Sequence, residues 1–217
     1  MDTGKLILNQ FFEAKAKYPK LGTPIKEGNI WRASGAIDVI DDEGGYWDTY
    51  DVDIVLFSDY PASLPILLET GKKIKRNLDW HISKEGICCL STPAKMYHDL
   101  GGNVTLVRWL DMFAHPYLAN HVYKVKAGAY ASGEFSHGNK GILEGWKMIL
   151  GIPSGKQVLL YLEHLVWIRE PALNRPCFCG SNKKYKRCYL LTVEKHRMNI
   201  PYSQIMEDIK SLRKSSI

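Results

Sequence analysis

The alternation of apolar and polar residues between Tyr46 and Phe57 restricts the fold of this chain more than any other pattern in its sequence. The apolar residues of the stretch share one side of an extended chain: Tyr50, Val52, Ile54 and Leu56. The polar residues share the other side: Thr49, Asp51 and Asp53. A period of two residues predicts a half-buried strand whose second face meets water, which is typical of antiparallel sheets.

The neighbouring segments extend this strand into a meander. Residues 31–41 also alternate, and the turn-forming residues 41–45 join the two strands into an antiparallel hairpin. After a second turn, residues 64–69 predict a third, short strand. Apolar spacing over residues 3–17 predicts a helix that ends before Pro19. We therefore predict an α+β fold in which an N-terminal helix precedes an antiparallel meander.

Two adjacent cysteines follow the meander, in the stretch His81-Ile-Ser-Lys-Glu-Gly86-Ile-Cys88-Cys89-Leu90. Neighbouring side chains of an extended segment point to opposite sides, so one sulfur is expected to face the core and the other to face water. An exposed thiol can ionise and attack, whereas a buried one is inert. The alternative is that both cysteines act as small hydrophobic residues of a core strand.

The second half of the chain predicts helices and a separate tail. Helical spacing of apolar residues begins after Asn103 or Thr105 as N-cap and recurs over 117–131, 143–150, 154–167 and 205–212. Two prolines mark residues 169–176 as a linker. We therefore expect one domain over residues 1–168 and a second over 169–217.

The composition narrows the protein class. Of 217 residues, 45% are hydrophobic and 24% are charged, which argues against global disorder. No apolar run reaches the ~18 residues that span a bilayer, and the first residues lack the apolar region of a signal peptide. Five cysteines, an odd number, argue against a disulfide framework and favour a reducing, cytoplasmic location. The net charge of +6 comes from mixed acidic and basic residues and is weak evidence for a nucleic-acid partner.

The order of these elements resembles the ubiquitin-conjugating enzyme fold over roughly residues 3–120. The matching positions are the Tyr60-Pro61 pair and Pro65 of the strand signature, His81 of the turn, and Gly86 to Leu90 of the cysteine segment. Cys89 falls on the nucleophile position of that family, and Cys88 falls where an apolar residue usually stands. The resemblance implies that a cysteine accepts an acyl group as a thioester and passes it to an amine, usually a lysine. Cys88 stays open as a substitute nucleophile.

The turn departs from the family pattern. His81 is followed by Ile82-Ser83, so the expected proline and oxyanion-stabilising asparagine are missing. Another donor, such as Asn77, Ser83 or a histidine, would then support the developing charge. His137 in a glycine-flanked loop is the first candidate for a helper histidine, with a surface role as the alternative. A nearby histidine or exposed turn amides would lower the pKa of the attacking thiol.

The tail resembles the SEC-C zinc motif, first named from the secretion ATPase. Residues 177–188 match it almost throughout and supply Cys177, Cys179 and Cys188 as ligands of a structural zinc ion. Tyr189 stands where the motif has its fourth ligand. We expect His196 to replace that ligand, with a three-coordinate or metal-free site as the alternatives. The module is expected to serve docking.

A short bacterial protein with both features resembles the conjugating component of antiphage cyclic-oligonucleotide signalling (CBASS) operons. The resemblance implies a cGAS/DncV-like nucleotidyltransferase as partner, whose C-terminus enters the thioester. It also allows an activating enzyme or a ubiquitin-like protein as partner, and it implies no membrane. Three other functions stay open: a catalytically inactive adaptor of the same fold, the conjugating enzyme of another bacterial ubiquitin-like operon, and a zinc-dependent nucleic-acid adaptor.

Overall fold

A computed structural model of the chain describes residues 3–131, 135–168 and 172–214. These residues form two compact units. The first comprises residues 3–91 and 103–131, and the second comprises residues 92–102, 135–168 and 172–214. The predicted domain boundary at residue 168 adjoins residues 169–171, and the start of the predicted linker, residues 169–176, lies outside the described residues. Residues 135–168 share a unit with the cysteine-containing tail.

The first unit is built on an antiparallel meander of four strands. Helix α1 (Thr3–Lys17) leads into strands that are paired in the order in which they occur: β1 (Ile25–Glu27), β2 (Ile30–Ile40), β3 (Tyr46–Phe57) and β4 (Ile66–Glu69). The predicted helix and the second hairpin strand agree with the structure in their bounds. The short edge strand β1 was not predicted, since its three residues are all exposed and carry no burial pattern.

Alternation along β3 places the core as the sequence predicts. Tyr50, Val52 and Ile54 are buried, whereas Asp51 between them is exposed. One face of α1 is also buried and includes Phe11. Gln10 on the same helix accepts a hydrogen bond from the backbone N–H of Leu106 at 2.8 Å, which ties α1 to the next helix of the unit.

A long helical segment packs against β2 and β3. It consists of α3 (Leu106–Trp109), a π-helical turn (Leu110–Ala114) and α4 (His115–Ala127). Thr105 caps α3, as expected, by accepting from the N–H of Arg108 at 3.4 Å. The π turn ends two residues before Pro116, and the helix continues through the proline after this local widening.

The second unit is helical. Its helices are α2 (Pro93–Leu100), α5 (Gly138–Leu150), α6 (Gly155–Trp167), α7 (Leu190–Asn199) and α8 (Tyr202–Arg213). Helices α5, α6 and α8 were predicted, with Ser154 capping α6 and Gly151 ending α5. The chain is therefore α+β, as predicted. Within the described ranges, no helix has the length and apolar character needed to cross a membrane.

Candidate active site and metal centre

Hydrogen bonds on both sides hold the segment that carries the two cysteines. The N–H of Cys88 donates to the carbonyl oxygen of Leu67 in β4 at 2.9 Å. The N–H of Cys89 donates to the carbonyl oxygen of His81 at 2.7 Å. Successive backbone groups thus bind opposite neighbours, as in a strand. The segment is therefore fixed in register next to the last strand of the sheet.

The turn before the cysteines requires a glycine. Gly86 has a φ of +96°, and a Cβ atom there would lie 2.7 Å from the carbonyl oxygen of Glu69. The N–H of Glu69 in turn donates to the carbonyl oxygen of Gly86 at 2.9 Å. Any side chain at this position would break the close approach of the two backbones. This explains physically why a glycine precedes the cysteine pair.

The two thiols lie in different environments, as alternation predicts. Cys88 is buried, with 7% of its surface exposed, and burial raises the pKa of its thiol to about 12. Cys89 is exposed to solvent. The protein packed around the Cys89 sulfur still removes water from it, and this desolvation raises its pKa as well. The lowered thiol pKa that we expected is therefore not found, and Cys89 is the exposed member of the pair.

His81 supports Cys89 through its backbone. It has a φ of +50° and ends the 3₁₀ turn Leu78–Trp80. Its carbonyl oxygen accepts from the Cys89 N–H and also from the Tyr117 hydroxyl at 3.1 Å. The His81 ring packs at an angle against the ring of Tyr130, with centroids 5.4 Å apart. Tyr117 on α4 is a structural contributor that the sequence did not reveal, because nothing local marks a tyrosine that reaches a loop more than 30 residues earlier.

The predicted oxyanion donors shape the loop. The Asn77 side-chain oxygen accepts from the Trp80 N–H at 3.2 Å, and the Ser83 hydroxyl oxygen accepts from the N–H of Glu85 at 3.2 Å. A hydrogen bond from the Ser83 hydroxyl lowers the pKa of the Glu85 carboxyl, so the hydroxyl hydrogen already has an acceptor. A role of Asn77 or Ser83 as oxyanion donor stays a prediction. His137 is exposed at the N-cap of α5 in the second unit. Its assistance to Cys89 stays a prediction.

The tail brings three sulfurs together. The Sγ atoms of Cys177, Cys179 and Cys188 all lie within 4.8 Å of one another, and those of Cys179 and Cys188 are 3.6 Å apart. A short hairpin positions them: the Cys177 N–H donates to the carbonyl oxygen of Lys183 at 2.8 Å. Gly180 turns the chain directly after Cys179, with a φ of +78°.

These sulfurs suit zinc. Zinc–sulfur bonds of about 2.3 Å in a tetrahedron put ligand sulfurs about 3.8 Å apart, close to the observed spacing of the cluster. Burial opposes ionisation of Cys179, but hydrogen bonds from Ser181 and the other thiols outweigh it and lower the pKa to about 7. The Ser181 hydroxyl oxygen lies 3.2 Å from the Cys179 sulfur and 3.3 Å from that of Cys188. Burial raises the pKa of the Cys177 thiol to about 11, so Cys179 ionises more readily than Cys177, which must release its proton when a metal binds. Ser181 is a neighbour of the sulfurs that the spacing of the motif did not predict.

The structure does not bring His196 to the cluster. His196 is buried on α7, with its Nε2 atom 3.1 Å from Nδ1 of His98 and its Nδ1 atom 2.7 Å from the hydroxyl oxygen of Tyr161. Both ring nitrogens therefore have partners in the helical core of the second unit. Tyr189, in the fourth position of the motif, packs its ring 5.5 Å from the ring of Phe178.

Comparison with known proteins bears on the tail alone. The family model of the SEC-C motif matches residues 174–188, which contain the three clustered cysteines. No curated protein and no solved structure gave a match to the chain. A C-terminal SEC-C motif with a cysteine cluster able to bind zinc is thus established by two independent observations.

Proposed function

We propose that this chain is an acyltransferase of ubiquitin-conjugating type in which Cys89 carries the C-terminus of a partner protein as a thioester. The observation that supports this proposal most is the difference in burial between two adjacent cysteines that follow an antiparallel meander. Cys88 anchors the segment in the core, and Cys89 presents its sulfur to solvent. A cysteine needed only for packing has no reason to be exposed at this position.

The chemistry follows from the two positions. The Cys89 sulfur attacks the activated carboxyl carbon of the partner, the leaving group departs, and a carbon–sulfur bond forms. An amine then attacks the thioester carbonyl, the carbon–sulfur bond breaks, and an amide remains. Because the pKa of the Cys89 thiol is raised, its proton must pass to a base during attack. His81 and His137 are the proposed bases, and Asn77 or Ser83 the proposed oxyanion donors.

The proposed partner is a cGAS/DncV-like nucleotidyltransferase in an antiphage signalling operon, and conjugation of its C-terminus would regulate that enzyme. The choice of this partner depends on the likeness in element order to the ubiquitin-conjugating family and on the tail motif. An activating enzyme or a ubiquitin-like protein encoded nearby would supply the activated carboxyl group. Alternatively, the chain is the conjugating enzyme of another bacterial ubiquitin-like operon. It would then carry out the same chemistry but transfer a different protein.

The second candidate function is that of a binding protein with the same fold and no activity. The raised pKa of the Cys89 thiol favours it, since a thiol that stays protonated at neutral pH attacks slowly. In that case the surface around residue 89 would dock a partner without forming a covalent bond.

A gel assay with single-residue variants separates the two functions. The full chain is incubated with the candidate nucleotidyltransferase, ATP and the neighbouring activating enzyme, then run without reductant. We expect a thiol-sensitive adduct that disappears in Cys89→Ala, becomes thiol-resistant in Cys89→Ser and persists in Cys88→Ala. No adduct in the parent chain, with binding retained, would leave the docking function. An adduct lost only in Cys88→Ala would move the nucleophile by one residue.

A further inference from the structure

The cysteine cluster offers three sulfur ligands to a metal ion, so one position of a tetrahedral site would have no protein ligand. In the described part of the chain, the group of metal-ligating side chains contains Cys177, Cys179 and Cys188 and no other cysteine, histidine or carboxylate. His196, the nearest histidine along the chain, is held by two other partners. Structural zinc sites are closed by four protein ligands, whereas three protein ligands leave a position for another molecule.

A cavity adjoins the cluster. It has a volume of about 300 Å³, and its lining includes Cys179, Cys188, Ser181 and Tyr189 on one side. Leu160 and Phe178 contribute apolar walls. Cavities of this size are at the lower end of the range for small ligands. Cys179 and Cys188 are also both partly exposed, unlike Cys177, so the cluster faces the cavity with two of its three sulfurs.

We propose that the metal-loaded cluster binds the thiolate of a small molecule at its fourth position. Zinc prefers soft sulfur donors, and the position lost to Tyr189 is one at which the motif has Cys or His. Three thiolates give the zinc site a net negative charge, which a fourth thiolate increases. The surrounding segment offsets that charge, because residues 172–193 contain five cationic and no acidic side chains: Arg175, Lys183, Lys184, Lys186 and Arg187.

Binding is a ligand addition without oxidation or reduction. The sulfur–hydrogen bond of the incoming thiol breaks, its proton passes to solvent, and a metal–sulfur bond forms. The carbon chain of the ligand then lies against Leu160 and Phe178, where its apolar surface is removed from water. This inference is independent of acyl transfer at Cys89.

Cobalt substitution tests the open position directly. The full chain is purified with Co²⁺ in place of zinc, reduced with a phosphine, and titrated with 2-mercaptoethanol while the visible spectrum is recorded. We expect saturable binding at one thiol per chain, a shift of the ligand-field bands, and about one third more sulfur-to-cobalt charge-transfer intensity, since four sulfurs replace three.

Variants at residue 189 supply the controls. In Tyr189→Cys and Tyr189→His the new side chain is expected to occupy the fourth position. Added thiol should then leave the cobalt spectrum of these variants unchanged. Met198→Cys, an exposed cysteine elsewhere on α7, is expected to respond as the parent chain does. Using both closing variants keeps the test informative if one of them does not fold.

Several results would overturn the proposal. A parent chain that binds no cobalt, or that binds it with a spectrum unaffected by the thiol, has no open position. If the spectrum of Tyr189→Phe changed on addition of the thiol and that of the parent chain did not, the phenol oxygen of Tyr189 would occupy the fourth position. Response to a capped Gly-Cys-Gly peptide but not to 2-mercaptoethanol would assign the position to a protein cysteine and exclude the small-molecule ligand.

Discussion

The ion pair between Glu69 and Arg76 is expected to hold the cysteine segment closed. The Glu69 side chain is fully buried at the end of β4, and its Oε2 atom accepts from Nη1 of Arg76 at 2.6 Å. Its other oxygen accepts from the N–H of Lys73 at 2.9 Å. Arg76 also donates to the carbonyl oxygen of Glu69, next to the point where Gly86 meets the strand. One guanidinium thus supports both the strand end and the turn before Cys88.

The magnitude follows from the burial of the two charges. Removing one partner of a buried pair costs about 3–5 kcal/mol, because the remaining charge loses both water and its counter-ion. About one fifth of the Arg76 side chain is exposed, so we expect the lower end, about 3 kcal/mol, for Arg76→Met. Adding Glu69→Gln removes the uncompensated carboxylate, and the double variant should recover about 2 kcal/mol.

Alkylation of Cys88 measures this loss locally. The thiol is buried, so iodoacetamide reaches it only when the segment opens, and peptide mass spectrometry follows this one residue. A loss of about 3 kcal/mol raises the rate about a hundredfold. Lys75→Met, which removes an exposed cation from the same loop, is the matched control and should leave the rate unchanged.

Two outcomes would refute this reasoning. An increase below tenfold in Arg76→Met would mean that solvent replaces the guanidinium at little cost. Equal rates in the single and double variants would mean that Arg76 acts by packing and not by its charge, since neutralising the carboxylate would then relieve nothing.

Three further predictions use the perturbed pKa values. The rate of Cys89 alkylation should keep rising as the pH passes 9.0, because desolvation raises the pKa of its thiol above that value, and a plateau at neutral pH would contradict this. Burial raises the pKa of Asp208 from 3.8 to about 6, so the folded chain binds more protons and its free energy of unfolding falls between pH 4 and 6. This decrease in the free energy of unfolding amounts to about 3 kcal/mol as the pH rises from 4 to 6, and it should be absent in Asp208→Asn when urea unfolding is measured across that range. An unaltered pH dependence in the variant would exclude the Asp208 carboxylate as its source. Burial lowers the pKa of His196 from 6.5 to about 4, so its contribution has the opposite sign: the stability that it gives above pH 6.5 is lost as the pH falls towards 4, and His196→Gln should reduce that acid sensitivity in the same unfolding experiment.

Elements with strong periodicity could be predicted from the sequence. Strand β3 alternates in burial over its central residues, from Thr49 to Ile54, and its predicted bounds are correct. Helix α6 combines a Ser154 cap with apolar residues at helical spacing. Where a segment buries one regular face, the sequence must record which residues that face contains.

Two of the missed elements, β1 and α7, bury few residues, and a third, α2, is only eight residues long. Strand β1 has no buried residue, so its extended form comes from pairing with β2 and leaves no pattern. Helix α7 buries only Val193 and His196, and the polar histidine hides the periodicity. Helix α2 is short, although Pro93 in its first turn and Gly101 at its end are signals that the sequence does contain.

The candidate sites show the same limit. Alternation predicted the opposite exposure of Cys88 and Cys89, and the resemblance to the SEC-C motif implied the grouping of the three tail cysteines. They did not predict the partners of His196, because its bonds to His98 and Tyr161 join residues that are 98 and 35 positions away. Spacing along the chain indicates which residues can meet, and only the packed helices decide which of them do.

The backbone lock on the cysteine pair has a consequence under oxidative stress. A disulfide between neighbouring residues closes a small strained ring and needs both sulfurs on the same side of the chain. Here that rearrangement would break the hydrogen bonds to Leu67 and His81 and pull a core side chain outwards. Peroxide therefore meets one exposed thiol, whose sulfenic acid is expected to condense with an external thiol, and reduction of that mixed disulfide restores Cys89 without a change in the fold.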